Sequence, residues 1–281
     1  MVAVGHTAVS NREVAEVDRG DDEENTAVLT SIVAGVATIT MTRPERRNVL
    51  DADSISALQA AFDRCAGDDV RVVVLAAVGP IFCAGADLRG AAAASDGSFA
   101  SSAPVALATL LATMIEHPKP IVAAVEGDVF GGGNGLVAAC DIAVAAESAR
   151  FAFSEVRVGV APAVVSVVCL ARMNSRPASR LMLTGERVSA SVVLDAGLIT
   201  EVVEAGAVIT RVRAYVDQLV RGGPQAVAAT KELLRRVPAL SVAEGFQWTA
   251  ELSARLFGSE EGREGMAAFV EKRDPNWVPK E

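Results

Sequence analysis

Aromatic side chains are scarce in this chain of 281 residues: 4 % are Phe, Trp or Tyr, and Tyr215 is the single tyrosine. With so few rings, and no basic stripe interleaved with them, no nucleic-acid partner is expected. Histidine is scarcer still, with only His6 and His117. A Ser-His-Asp hydrolase is hard to build from these two, because His6 falls in an acidic N-terminal stretch and His117 directly precedes Pro118, which suits a structural or surface role. The four cysteines, Cys65, Cys83, Cys140 and Cys169, have no CxxC spacing. That excludes a zinc-ligand pattern and a disulfide framework, leaving free buried thiols and a reducing, cytoplasmic setting as the expectation, with no metal. Apolar runs are broken by Gly, Pro or charge well before the ~18 to 20 residues a bilayer requires, so no membrane partner is expected. The N-terminus also lacks a basic segment followed by an apolar core, which argues against secretion.

Apolar residues make up 51 % of the chain, enough at this length for one large domain with a substantial core. The formal net charge of −9 is unevenly placed: residues 1 to 25 hold seven acids, among them Asp21, Asp22, Glu23 and Glu24, against Arg12 and Arg19, so −5 of the total sits there. Residues 1–26 read as a mobile acidic extension, solvated rather than regulatory.

Beyond it strands and helices alternate, the rhythm of an α/β protein without an internal repeat. Val33 to Met41 reads as a strand. Ile55, Leu58, Phe62 and Cys65 repeat at helical spacing over Ala52 to Ala66, with Asp51 or Asp53 as the cap. Strands are expected at 70–78, 121–127, 141–145 and 198–203, with a helix opening inside the glycine triplet at 131–133 and a helix-rich region from about Ala207. Residues 89–102, rich in Ala, Ser and Gly, lack strand or amphipathic patterning and read as a mobile loop, either bordering a binding pocket or passive.

Two glycine-bearing stretches stand at strand exits: Phe82-Cys83-Ala84-Gly85-Ala86-Asp87-Leu88 after the 70–78 run, and Gly131-Gly132-Gly133-Asn134-Gly135 after the 121–127 run. Bare amides there can approach a ligand and together form an oxyanion hole, although either stretch alone is more often a plain turn or a close helix packing. Thr42-Arg43-Pro44-Glu45-Arg46-Arg47-Asn48 precedes them, and Phe153-Ser154-Glu155-Val156-Arg157-Val158-Gly159 follows. Pro118-Lys119-Pro120 and Glu264-Gly265-Met266-Ala267-Ala268-Phe269 complete the ordered set.

In this order the motifs resemble the crotonase superfamily, the enoyl-CoA hydratase/isomerase family, from about Val28 to about Trp277. The resemblance implies a spiral of ββα units over 27–205 and a C-terminal helical trimerisation region over 206–281, packed as a homotrimer or dimer of trimers. It also implies an acyl-CoA substrate whose thioester carbonyl becomes an enolate. Carried over by position, the amides of Ala86 and Gly132 are the oxyanion donors, and Gly132 gains from the positive end of a helix. Glu155 is the acid–base residue. The family's other glutamate falls at residue 135, where this chain has glycine, offering space but no acid. Glu155 has alternatives of its own, a pairing with Arg157 or a helix cap, while Glu126 and Asp128 read as structural.

The resemblance further places Arg46, Arg47 and Val49 along the pantetheine and adenine, with Ala84, Gly85, Asp87, Leu88 and Arg89 in the same cofactor-like subsite, Arg89 near phosphate. Phe269 and Lys272 would serve a neighbouring subunit's site. Arg46 and Arg47 equally suit a solvated turn, and Lys272 equally suits dipole complementation at a helix end. No separate cofactor is implied, since coenzyme A is part of the substrate. Hydration of a 2-enoyl-CoA leads; a Δ3,Δ2-enoyl-CoA isomerase needing one base, and a non-catalytic acyl-CoA-binding protein, are the alternatives.

Overall fold

In the computed structural model, residues 26–88, 90 and 98–278 are described. The acidic extension at 1–25, Arg89 and most of the predicted 89–102 loop lie outside them.

Two sheets organise the chain. The larger has the order β1-β2-β3-β5-β7-β10, built from Val28–Val33, Val36–Met41, Val72–Ala77, Ile121–Val125, Ile142–Ala146 and Glu201–Val203. The smaller is β4-β6-β8-β9, built from Ile81–Cys83, Asp128–Phe130, Arg150–Ala152 and Val188–Ser189. Apart from the β1–β2 and β8–β9 pairs, neighbouring strands run parallel. The chain repeatedly lays a strand in the large sheet, a strand in the small one, and then a helix: β3, β4 and α2 (Ser98–Glu116); β5, β6 and α3 (Gly132–Ala139); β7, β8 and α4 (Ala163–Cys169). This is the expected ββα spiral.

The central parallel strands β3, β5 and β7 are apolar on both faces, as strands between two layers must be. In β3, Val73 and Leu75 enter the main core with Phe62 and Phe82. Val72, Val74 and Ala76 point the other way and pack with Val208, Val212 and Val216 of α7 (Val208–Leu219). A fully buried valine or leucine contributes about 1.5 to 3 kcal/mol, so this double facing anchors the strands whose ends carry the loops described below.

Asp51 caps α1 (Ala52–Cys65) by accepting the Ser54 N–H, which settles the choice between it and Asp53. The predicted strand over 33–41 is corrected: Ala34 and Gly35 both adopt positive φ, 50° and 79°, and turn the chain between β1 and β2. A two-residue turn of that hand suits the twist of the hairpin. The loop expected through 102 is corrected too. Its end, Ser98 onward, belongs to the 19-residue helix α2, which carries Pro104 inside it at the loss of one intrahelical N–H bond.

After short helices α5 (Ser175–Thr184) and α6 (Ala190–Asp195), the chain ends in α7, α8 (Pro224–Arg236), α9 (Val242–Gly258) and α10 (Glu260–Glu271). These C-terminal helices fit the trimerisation region of crotonase-fold structures, and they leave Val242, Phe246, Phe257, Phe269 and Val270 exposed. No described helix is long and apolar enough to cross a membrane.

Candidate active site

The loops leaving β4 and β6 meet. Gly85 has φ +82°, and a β-carbon there would stand 2.9 Å from both the Gly132 nitrogen and the Phe130 carbonyl oxygen, so only glycine permits this approach. Leu50 N–H donates to the Gly85 carbonyl at 2.8 Å and Ala84 N–H donates to Arg47 at 3.1 Å, pinning the first loop. Asn48, 3 % exposed, holds the preceding turn: its amide donates to the carbonyls of Val78 and Ile81, and its oxygen accepts the Arg43 N–H. Among the described residues, no carbonyl or side chain takes the Ala86 N–H or the Gly132 N–H.

Gly131, with φ +51°, is the N-cap of α3, so Gly132 is its first residue and its amide points out of the helix end. The bend is held from behind. Gly131 N–H donates to Ala152, and the buried Asn134 amide donates to Gly131 and Ala152.

Glu155 comes to the same bend from a short 3-10 turn over Ser154–Val158. Its Oε1 lies 3.5 Å from where a β-carbon on Gly131 would stand, and its Oε2 is buried without a hydrogen-bond partner among the described residues. Burial pushes its carboxyl above the ordinary range, opposed only by a backbone hydrogen bond. Among the described residues Arg157 makes no ion pair with it; the Arg157 Nε donates to the Gly185 carbonyl at 2.8 Å. A half-buried carboxyl with one buried, unpartnered oxygen, set at the bend that presents the Gly132 amide, is a costly arrangement for a purely structural site.

The open space expected at Gly135 is absent. A β-carbon there would lie 2.7 Å from Val165 Cγ1 and 3.3 Å from Leu111 Cδ1, so an aliphatic wall stands where the family's second glutamate would project. Asp128 supplies no substitute: it accepts the Arg150 N–H and pairs with Arg187. Glu126 is exposed.

The remaining predicted residues spread around this cleft. Arg46 bridges Asp51 at 2.7 Å and Asp87 at 3.1 Å, tying the turn after β2 to the loop after β4. Arg47, in the left-handed region, lines a cavity of about 550 Å³ with Ala84, Phe130, Ser154, Arg157 and Arg187. Val49 is half-buried and Leu88 exposed. Arg89 lies outside the described residues. Phe269 is 85 % exposed on α10, and Lys272 closes that helix with φ +56°, so both are offered outward rather than to this chain's own cleft. A larger cavity, about 850 Å³, lies between His117, Lys231 and α9, apart from the paired amides. Among the described residues no cluster of His, Cys, Asp or Glu is arranged to hold a metal.

Asn48, Asn134 and Val165 carry geometry that sequence reasoning missed. Asn48 ends the Thr42–Asn48 motif, but its reach to residues 78 and 81 depends on the folded turn.

The Enoyl-CoA hydratase/isomerase family matches residues 31–280. The chain belongs to the enoyl-CoA hydratase/isomerase family. Enoyl-CoA hydratase EchA19 of Mycobacterium tuberculosis is 35 % identical over 244 residues, covering 85 % of this chain and 91 % of that protein. The carnitinyl-CoA dehydratase of Proteus mirabilis is 33 % identical over 251 residues, covering 86 % and 94 %. The crystal structure of an enoyl-CoA hydratase from Mycobacterium smegmatis superposes with a TM-score of 0.86 at 32 % identity, over 91 % of this chain and all of that one. Membership makes this an acyl-CoA enzyme of the crotonase type, and the site geometry bears on which reaction it runs.

Proposed function

We propose that the protein adds water to a 2-enoyl-CoA, or removes it in the reverse direction, through an enolate held by the Ala86 and Gly132 amides. The observation that carries this is Glu155: a buried carboxylate oxygen without a partner, beside the bend that presents the Gly132 amide. Negative charge gathering on a thioester oxygen would meet two fixed dipoles and a helix N-terminus, each donor worth about 2.7 to 4 kcal/mol. Glu155 orients the water and passes a proton between it and the α-carbon, its raised pKa bringing it closer to the operating pH. Relatives named for hydration and dehydration support this direction of chemistry.

Val165 favours a second reading. With residue 135 closed to an acid, one carboxylate remains, which suffices for moving a proton from C2 to C4 of a 3-enoyl-CoA. Water addition to crotonyl-CoA and double-bond migration in 3-hexenoyl-CoA, assayed side by side, separate the two. Binding of acyl-CoA without either reaction would instead indicate a non-catalytic binder.

For the assembly, the exposed apolar residues of α9 and α10 support a homotrimer or dimer of trimers, with Phe269 and Lys272 reaching a neighbour's coenzyme A. Arg47 and the arginine-lined cavity beside Ala84 support a coenzyme A path on this chain. Coenzyme A arrives with the substrate, and the proposed chemistry calls for no additional cofactor.

A further inference from the structure

Glycine recurs at the first and fourth positions of α3; Leu50 Cδ1 stands 2.9 Å from where a β-carbon on Gly132 would lie, and a leucine from α2 flanks each of the two glycines. A β-carbon on Gly132 would meet Leu107 Cδ2 at 3.7 Å, and one on Gly135 would meet Leu111 Cδ1 at 3.3 Å. Leu107 and Leu111 are one turn apart on α2 and share a face, so they form a continuous aliphatic row along the glycine side of α3. Val165, from α4, closes the Gly135 end of this row. It is 3 % exposed, and its Cγ1 and Cβ would stand 2.7 and 3.2 Å from a β-carbon on residue 135. A β-branched side chain in a helix has one strongly preferred rotamer, so Val165 cannot swing aside cheaply. An acyl chain leaving a carbonyl held at Gly132 therefore has leucine beside it and valine at the end of the row.

Resting on the acyl-CoA reading above, we infer that Val165 is a specificity-determining residue of the acyl chamber: it occupies the place of a second carboxylate and shortens the chamber, restricting it to small aliphatic acyl groups. Polar or cationic acyl tails find no partner on this wall. The constraint is mutual, because an acid at 135 requires a smaller residue at 165.

Two measurements test this. In the first, kcat/KM of the wild type and Val165→Ala is compared for crotonyl-CoA and 2-octenoyl-CoA. Removing methyl groups from an apolar pocket changes selectivity by roughly 10- to 200-fold, so the octenoyl/crotonyl ratio should rise by about tenfold or more in the variant. A smaller change overturns the assignment. In the second, thermal unfolding is compared for Gly135→Glu and for Gly135→Glu/Val165→Gly. The single variant should unfold well below the wild type, and the double should regain at least half of the loss. A single variant as stable as the wild type, or a double that regains nothing, overturns the pairing. The unfolding comparison needs no turnover, so a wild type inert toward every thioester would defeat the proposed function and leave the 135–165 coupling to be judged by itself.

Discussion

A β-carbon on Gly85 would stand 2.9 Å from the amide nitrogen of Gly132, so two residues far apart in the chain close one cleft only because the first has no side chain. Gly85→Ala would also strain the backbone at φ +82°. The variant should fold but lose roughly 10²- to 10³-fold in kcat, the loss associated with misplacing one oxyanion donor. Turnover, with circular dichroism to verify folding, checks this.

Glu155→Gln should separate stability from activity. The ordinary Glu is held above its usual pKa in the fold, so its charge opposes folding at neutral pH. Gln removes that cost, and Tm should rise by about 2 to 4 °C for each kcal/mol relieved. The gain is fully present above the raised pKa and disappears as pH falls through the unfolded value of 4.5. Thermal scans of both proteins from acid to neutral pH measure it.

The same raised pKa predicts the acid limb of turnover. If the carboxylate form of Glu155 is the base, kcat falls as pH drops through a value above the ordinary Glu range. A pH–rate profile on a folded, acyl-CoA-saturated enzyme shows where that limb lies.

His117 carries a separate, structural pH dependence. Its ring nitrogens lie 3.2 Å from the Lys119 carbonyl oxygen and 3.1 Å from that of Phe62, while Lys231 Nζ donates to the same Lys119 oxygen and pairs with Asp141. Burial holds the imidazole below its usual pKa despite those carbonyls. Its contribution is therefore complete above about 6.5, the unfolded value, and is lost as pH falls below it. His117→Gln should flatten the slope of stability against pH in that window, as read by urea denaturation.

The central strands β3, β5 and β7 were legible because they are apolar on both faces, and α1 because its apolar residues repeat at helical spacing behind an acidic cap; β1, with Thr30 and Ser31 exposed, was not. The small sheet was not. Ile81–Cys83, Asp128–Phe130 and Arg150–Ala152 are three residues each, too short for a period, and exist through pairing with one another. Motif order brought Gly85, Gly132 and Glu155 to attention, and the folded chain gathers all three. Val165 lies in Gly159–Ser166, where the chain departs from the more glycine-rich segment common in the family, but a valine in an apolar stretch gives no sign that it fills the space beside residue 135.

The central claim is that Glu155 moves the proton while backbone amides hold the thioester oxygen, and Glu155→Gln tests it most directly when kcat and acyl-CoA affinity are measured on one preparation. The account predicts a Kd for acyl-CoA close to that of the wild type, with kcat on the best thioester lower by roughly two to four orders of magnitude. Near-normal kcat in the folded variant would contradict it.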